Sequence, residues 1–282
     1  MAARAHVLMA EKSYARLRRR IAEIEGKPVS LPKRQAFLPF DIKHIDRLLG
    51  GGLRRDGLHE IRSETTRDSY AATGFAIAIL ARLATLDDRP FLLVIEAGGL
   101  REAGHPYGPG LDRFGLNSRQ LVIVRTRRPS ESLWVFEEAL RCRGLAAVLT
   151  EIRGHPRQLD LTASRRLALR ARESGVMGLL VRQASAAAPG AAATRWHASP
   201  RPASTIDDFA SGIGQPVWRL VLERNRNGPI GTFDLEWNHG NRAFALAEPA
   251  RPALSFSGAS VFGDRSNPSA EPGSLVAFRR AS

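Results

Sequence analysis

The sequence predicts an α/β protein in which a mostly parallel central sheet is flanked by helices. Three observations carry that expectation. Short apolar runs recur at 91–95 (FLLVI), 121–124 (LVIV), 146–152 (AAVLTEI) and 176–181 (VMGLLV), the pattern of strands buried on both faces. Stretches of helical period separate most of them, as a parallel sheet with crossover helices requires. From 217 onward the pattern changes to alternating runs joined by a turn at 225–231, an antiparallel ending. The organisation that follows is an N-terminal helix and linker over 1–36, a core domain over 37–246, and a disordered Ser/Pro-rich tail over 247–282.

Each element has a local reason. Residues 9–26 predict an amphipathic helix, because Tyr14, Leu17, Ile21 and Ile24 follow a 3-4-3 spacing with charged residues between them. Gly26 and Pro28 stop it. Gly50-Gly51-Gly52 reads as a flexible turn before a strand at 57–61. A long apolar helix over 71–86 leads to the strand at 91–95. Helices over 132–142 and 162–173 then alternate with the later strands, the second ended by Gly175. Residues 184–205 interrupt the pattern. ASAAAPGAAA is low in complexity and predicts a flexible loop, and TRWHASPRPAS follows it. Strands at 217–223, 232–237 and 243–246 close the domain.

Composition excludes several classes. With 43% hydrophobic and 25% charged residues the chain is globular rather than wholly disordered. The single cysteine, Cys142, excludes an internal disulfide and reads as a half-buried helix residue. No apolar run is long enough for a membrane helix and no secretory signal opens the chain, so a cytoplasmic protein without a membrane partner is expected. The histidines lack HxxxH or HExxH spacing, so no metal or other cofactor is expected. The formal net charge of +14 suits a nucleic-acid surface, or simply the Arg and Ala excess of GC-rich coding. All four lysines (Lys12, Lys27, Lys33 and Lys43) lie at or before position 43.

That last fact bears on the one place where an α/β chain would hold a nucleotide. A strand, loop and long helix early in the chain is the setting of a phosphate-binding loop. Such a loop needs glycines for close backbone approach, a Lys for phosphate charge and a hydroxyl for Mg²⁺. The segment here reads Glu60-Ile61-Arg62-Ser63-Glu64-Thr65-Thr66-Arg67-Asp68-Ser69-Tyr70-Ala71.

The stretch FDIKHIDRLLGGGLRRDGLHEI resembles the run that leads into the ATP site of the RecA family, and LERNRNGPIGTFDLEWN resembles the terminal hairpin of the RecA core. The resemblance covers roughly 37–246 and implies a RecA-like core. Laid on that pattern, Ser63 stands at the first loop glycine, Asp68 at the second, Ser69 at the Lys and Tyr70 at the hydroxyl residue. Glu64 and Asp68 would set negative charge beside a polyphosphate, a repulsion on the order of several kcal/mol at close range. No lysine follows Lys43 to supply the missing cation, and an arginine such as Arg67 lacks the compact fit of an ammonium. The family's catalytic Glu falls at Gly98, two residues after Glu96, and the Mg²⁺-side carboxylate at Glu151. Gln183 falls where the family carries a nucleotide-sensing Gln.

Together with the basic N-terminal helix and the tail, these worn positions are similar to the ImuA family of bacterial inducible-mutagenesis proteins. The resemblance implies a RecA-like accessory protein without a working ATPase, acting in SOS translesion DNA synthesis. It implies as partners an ImuB-like polymerase relative and an error-prone relative of the replicative polymerase α subunit; RecA is a further candidate, for the N-terminal helix.

Three surfaces are candidates for that work. Arg195, Trp196 and Arg201 follow the low-complexity loop and suit single-stranded DNA, guanidinium on phosphate and indole on a base. Tyr14, Leu17, Ile21 and Ile24 suit docking on a partner. Phe278 and Arg279, in LVAFRR near the end of the tail, suit a short partner-binding motif. Two other readings remain open: a divergent ATPase using Arg67, Glu96 and Glu151, and a cell-division inhibitor.

Overall fold

A computed structural model describes residues 36–99, 104–203 and 214–247. In chain order these form β1 (Phe37–Leu38), α1 (Lys43–Leu49), β2 (Leu53–Arg54), β3 (Leu58–Arg62), α2 (Ser69–Ala84) and β4 (Phe91–Glu96). Next come α3 (Gly108–Phe114), a 3₁₀ turn (Ser118–Gln120), β5 (Leu121–Thr126), α4 (Pro129–Leu140), β6 (Ala147–Arg153), α5 (Leu161–Ser174) and β7 (Met177–Gln183). Four strands finish the domain: β8 (Thr194–Arg201), β9 (Val217–Asn225), β10 (Gly231–Asn238) and β11 (Ala243–Leu246).

The main sheet has nine strands in the order β11-β10-β9-β8-β3-β7-β6-β4-β5. The six from β8 to β5 run parallel, and β9, β10 and β11 extend them antiparallel. The protein is thus α/β with a large, mostly parallel central sheet flanked by helices. Among the described residues no helix is long and apolar enough to cross a membrane.

Helix α2 explains one face. Its sequence, SYAATGFAIAILARLA, is apolar nearly all round, and most of its side chains are buried. Small residues let it lie close: a Cβ added at Gly74 would sit 3.4 Å from the Trp218 ring. Phe75 meets Trp196 edge-on at 5.7 Å, and Phe40, Trp218 and Phe244 complete an aromatic cluster around it. On the other face, Leu133, Phe136 and Leu140 of α4 and Leu167 and Ala171 of α5 pack on Val94, Val148 and Leu180.

Three expectations are corrected. Gly50-Gly51-Gly52 is not a loose turn. Gly50 caps α1 in the left-handed conformation (φ 73°), and at Gly52 (φ 122°) a Cβ would lie 2.2 Å from the Leu38 carbonyl oxygen. Glycine is required there by close backbone approach. The flexible loop expected over 184–205 is also replaced. Residues 194–201 are β8, a central strand paired with β3 and β9, and Gly190, Ala191 and Ala192 before it are buried. Cys142 lies just beyond α4 and is exposed rather than half-buried.

Candidate functional site

The junction from β3 to α2 lies at the carboxyl end of the parallel strands, where open α/β sheets bind ligands. Its hydrogen bonds close on themselves. The Ser63 N–H donates to the Arg182 carbonyl at 3.0 Å, and the Ser63 carbonyl accepts from the Ser185 N–H at 2.9 Å. The Ser63 hydroxyl, fully buried, accepts from the Ala184 N–H at 3.2 Å and lies 3.2 Å from the Ser69 hydroxyl. Asp68 and Ser69 donate their N–H groups to the carbonyls of Thr65 and Thr66. The Thr65 hydroxyl donates to the Asp68 carboxylate at 2.8 Å, and the Ser69 hydroxyl to the Thr65 carbonyl at 3.3 Å. A phosphate cradle keeps its loop amides free and convergent; here those of Ser63, Asp68 and Ser69 already donate to protein carbonyls.

The side chains match that closure. Ser69, expected at the lysine position, is buried and turned inward, whereas Tyr70, expected at the hydroxyl position, is 62% exposed. Glu64 and Arg67 are exposed, and Arg153 reaches the loop through the Thr66 hydroxyl at 3.4 Å. Gly98 is exposed just after β4, and a Cβ there would lie 3.5 Å from a Glu96 carboxylate oxygen. Burial pushes Glu96 above its ordinary pKa. Glu151 is also pushed up by burial, opposed by its hydrogen bond with Thr73, and it accepts from the Gln183 amide at 3.4 Å. The structure therefore gathers Glu151, Gln183 and Thr73 at the strand ends.

Strand β8 does not present the expected DNA-contacting side chains. Trp196 is fully buried in the aromatic cluster, and its indole N–H donates to the Thr194 hydroxyl at 2.9 Å. Thr194 is 2.8 Å from His59 Nδ1, and His59 Nε2 is 2.8 Å from the Arg54 carbonyl. A carbonyl only accepts, so Nε2 carries the proton and Nδ1 accepts from Thr194. Burial drives the His59 pKa down to about 4, which keeps the ring neutral.

Arg195, 8% exposed, donates from Nε to Glu60 at 2.9 Å. The other Glu60 oxygen accepts from Arg182 Nη1, also at 2.9 Å. Arg182 further contacts His155 Nδ1 at 2.8 Å, Ser185 and the Gly154 carbonyl. Beside this set, Arg62 forks onto Glu223. Burial raises Glu223, but the Arg62 guanidinium outweighs it and holds the carboxyl below its ordinary pKa. The segment 184–193 closes over the cluster. At Gly190 a Cβ would lie 2.9 Å from Arg195 Nη2 and 3.5 Å from Glu60. Arg195 and Trp196 thus pack and pair inside the sheet, against the single-strand contact expected of them: Trp196 is fully buried and Arg195 is about nine-tenths buried and tied to Glu60. Arg201, at the exposed end of β8, lies 3.8 Å from Asp234.

No protein-family model matches the chain. Protein ImuA, from two strains of Caulobacter vibrioides, is 32% identical over 210 residues, which are 70% of this chain and 82% of that protein. The chain belongs to the ImuA family.

In this ImuA-family chain, Tyr14, Leu17, Ile21, Ile24, Phe278 and Arg279 lie outside the described residues. Ser63, Glu64, Asp68, Ser69 and Tyr70, the positions expected to mark a lost nucleotide loop, lie at the β3–α2 junction. Sequence reasoning gave no role to the buried charges Glu60, Arg62, Arg182 and Glu223. A signal was present: each interrupts or ends an apolar strand run. With a period of two, Glu60 and Arg62 share the inward face of Leu58 and so require partners.

Proposed function

We propose that this ImuA-family chain is a non-catalytic, RecA-like accessory protein of damage-induced mutagenic translesion DNA synthesis, working through protein contacts. One observation supports the non-catalytic half: in the β3–α2 turn the amides of Ser63, Asp68 and Ser69 and the hydroxyls of Thr65 and Ser69 are committed to protein groups, and Ser69, aligned with the family's Lys, is buried. The RecA-like half is supported by β3 lying between β7 and β8 in a parallel sheet that continues into an antiparallel ending. The partners that the family implies are the ImuB-like polymerase relative and the error-prone α-subunit relative, with RecA a further candidate for the N-terminal helix. Contact with single-stranded DNA draws no support from Arg195 and Trp196.

The test is calorimetric titration of the full chain with ATP and Mg²⁺ to millimolar ligand. No heat of binding is expected. Saturable binding at micromolar affinity would overturn the reading in favour of a divergent nucleotide switch built on Arg67, Glu96 and Glu151.

A further inference from the structure

Helices α4 and α5 lie side by side on one face of the sheet and are joined by Arg166 and Glu137 at 2.6 Å. Toward the sheet α5 buries Ala163, Ser164, Leu167 and Ala171. Leu169 is two residues from Leu167 and two from Ala171, a turn of about 200° around the helix, so it faces away from the sheet. It is 52% exposed. On α4, one turn before Glu137, Trp134 is 66% exposed. Large apolar side chains left open on neighbouring helices mark an interaction surface, and tryptophan is among the strongest anchors of one.

Most of the charge around them is neutralised locally. Arg128 pairs with Glu131, Arg141 with Glu138, Arg166 with Glu137 and Arg170 with Glu173. Arg165 and Arg172 remain. They stand four residues before and three after Leu169, hence beside it on the helix surface. Both are exposed, and among the described residues neither has an acidic partner. Seven residues apart, they are separated by about 10.5 Å along the axis.

These features select the occupant. An extended segment finds nothing to pair with, because the helices use their own main-chain groups, whereas a helix brings its backbone already satisfied. A nucleic-acid strand would set phosphates against Glu131, Glu137, Glu138 and Glu173 and leave Trp134 and Leu169 beside its backbone charge. The same face of a second copy would set Arg165 and Arg172 against cations. Residues 9–26 carry the same excess sign, with Lys12, Arg16, Arg18, Arg19 and Arg20 against Glu11, Glu23 and Glu25.

We infer that the outer face of α4 and α5 docks an amphipathic helix of a partner protein, with its apolar stripe on Trp134 and Leu169 and two carboxylates, seven residues apart, on Arg165 and Arg172. The inference rests on the protein-contact half of the proposed function.

The experiment uses the full chain and two labelled, end-capped peptides, Leu-Glu-Gln-Ala-Leu-Gln-Gln-Leu-Glu-Gln-Ala-Leu and the same peptide with both Glu replaced by Lys. Fluorescence anisotropy is expected to give about tenfold tighter binding of the acidic peptide, weakening with salt. The other three tryptophans, Trp196, Trp218 and Trp237, are buried, so acrylamide quenching reports Trp134 and is expected to fall as the peptide binds. Arg165→Glu/Arg172→Glu, at two exposed and unpaired positions, is expected to reverse the preference with an unchanged circular dichroism spectrum. Trp134→Ala/Leu169→Ala is expected to weaken the acidic peptide about tenfold. Absence of binding, equal affinity for both peptides, or unchanged quenching of Trp134 would overturn the inference. So would displacement of the peptide by oligo-dT, which assigns the face to nucleic acid. A sedimenting dimer that Arg165→Glu/Arg172→Glu converts to monomer would overturn it in favour of a second copy, whichever surface of that copy is used. None of those results alters the ATP titration, so this failure is distinguishable from failure of the non-catalytic reading.

Discussion

Removing the charge of Glu60 tests the view that β8 is a buried structural strand. Glu60 accepts from Arg182 and Arg195 at 2.9 Å each, and all three side chains are at least nine-tenths buried. Glu60→Gln keeps the shape and leaves two guanidiniums without their carboxylate. Breaking a buried pair from one side costs about 3–5 kcal/mol, because a charge is left uncompensated rather than because the pair itself was so favourable. Arg182 keeps His155, Ser185 and the Gly154 carbonyl, whereas Arg195 Nη2 already lacks a hydrogen-bond partner, so Arg195 carries most of the loss. Against a typical domain stability of roughly 5–15 kcal/mol, the variant would be marginal at ambient temperature. Urea unfolding followed by tryptophan fluorescence gives the difference directly, since Trp196 lies on the same strand. Glu60→Gln/Arg195→Met, which removes both charges of that pair, is expected to recover much of the loss. A loss below about 1 kcal/mol for Glu60→Gln would refute the reasoning, since that is the range of a surface ion pair.

Further outcomes follow from the same geometry. The folded pKa of His59, about 4, lies below the ordinary value of 6.5, so the unfolded chain binds the proton first; stability is full above about pH 6.5 and falls as pH drops toward 4. Between pH 7 and pH 5 the loss is about 2 kcal/mol, and His59→Gln, though less stable throughout, should show a flatter slope in urea titrations. Gly52→Ala should cost more than about 2 kcal/mol in thermal unfolding, because its Cβ would strike the Leu38 carbonyl at a positive φ. Glu151 is raised by burial, so its charged form is disfavoured in the fold and its stabilising contribution is lost as pH rises through the folded pKa. Glu151→Gln should therefore be neutral or stabilising at pH 7 by urea titration, and a marked destabilisation would contradict the assignment.

The order of strands and helices was legible because hydrophobic period carries it. The apolar run expected at 91–95 is β4 (Phe91–Glu96), the helix expected over 162–173 is α5 (Leu161–Ser174), and the antiparallel ending appears as β9, β10 and β11. The lack of any lysine after Lys43 was legible too, as a fact of composition. What composition hid was β8. Its neighbours in sequence are Ala, Pro and Gly, which read as a loop, and its arginine read as a surface cation. Yet the segment alternates: Thr194, Trp196 and Ala198 on one face, Arg195 and His197 on the other. The first face packs under α2, and the second meets Glu60, which lies 135 residues earlier in the chain. No local pattern names a partner at that distance.

The same separation explains why the charge pattern misled. An arginine is a solvated surface cation unless something buried neutralises it, and sequence alone cannot say which strand will lie alongside. Register decides it: β3 and β8 run parallel with Glu60 opposite Arg195, while β7 sets Leu180 opposite Glu60 and Arg182 opposite Arg62, one pair further along the same face. Glu60 is thus bracketed by the arginines of both neighbouring strands. The cation that looked available for a phosphate is committed to an internal carboxylate, just as the amides of Ser63, Asp68 and Ser69 are committed to protein carbonyls. Both commitments act at the carboxyl end of the parallel strands, the end where an open α/β sheet binds its ligands.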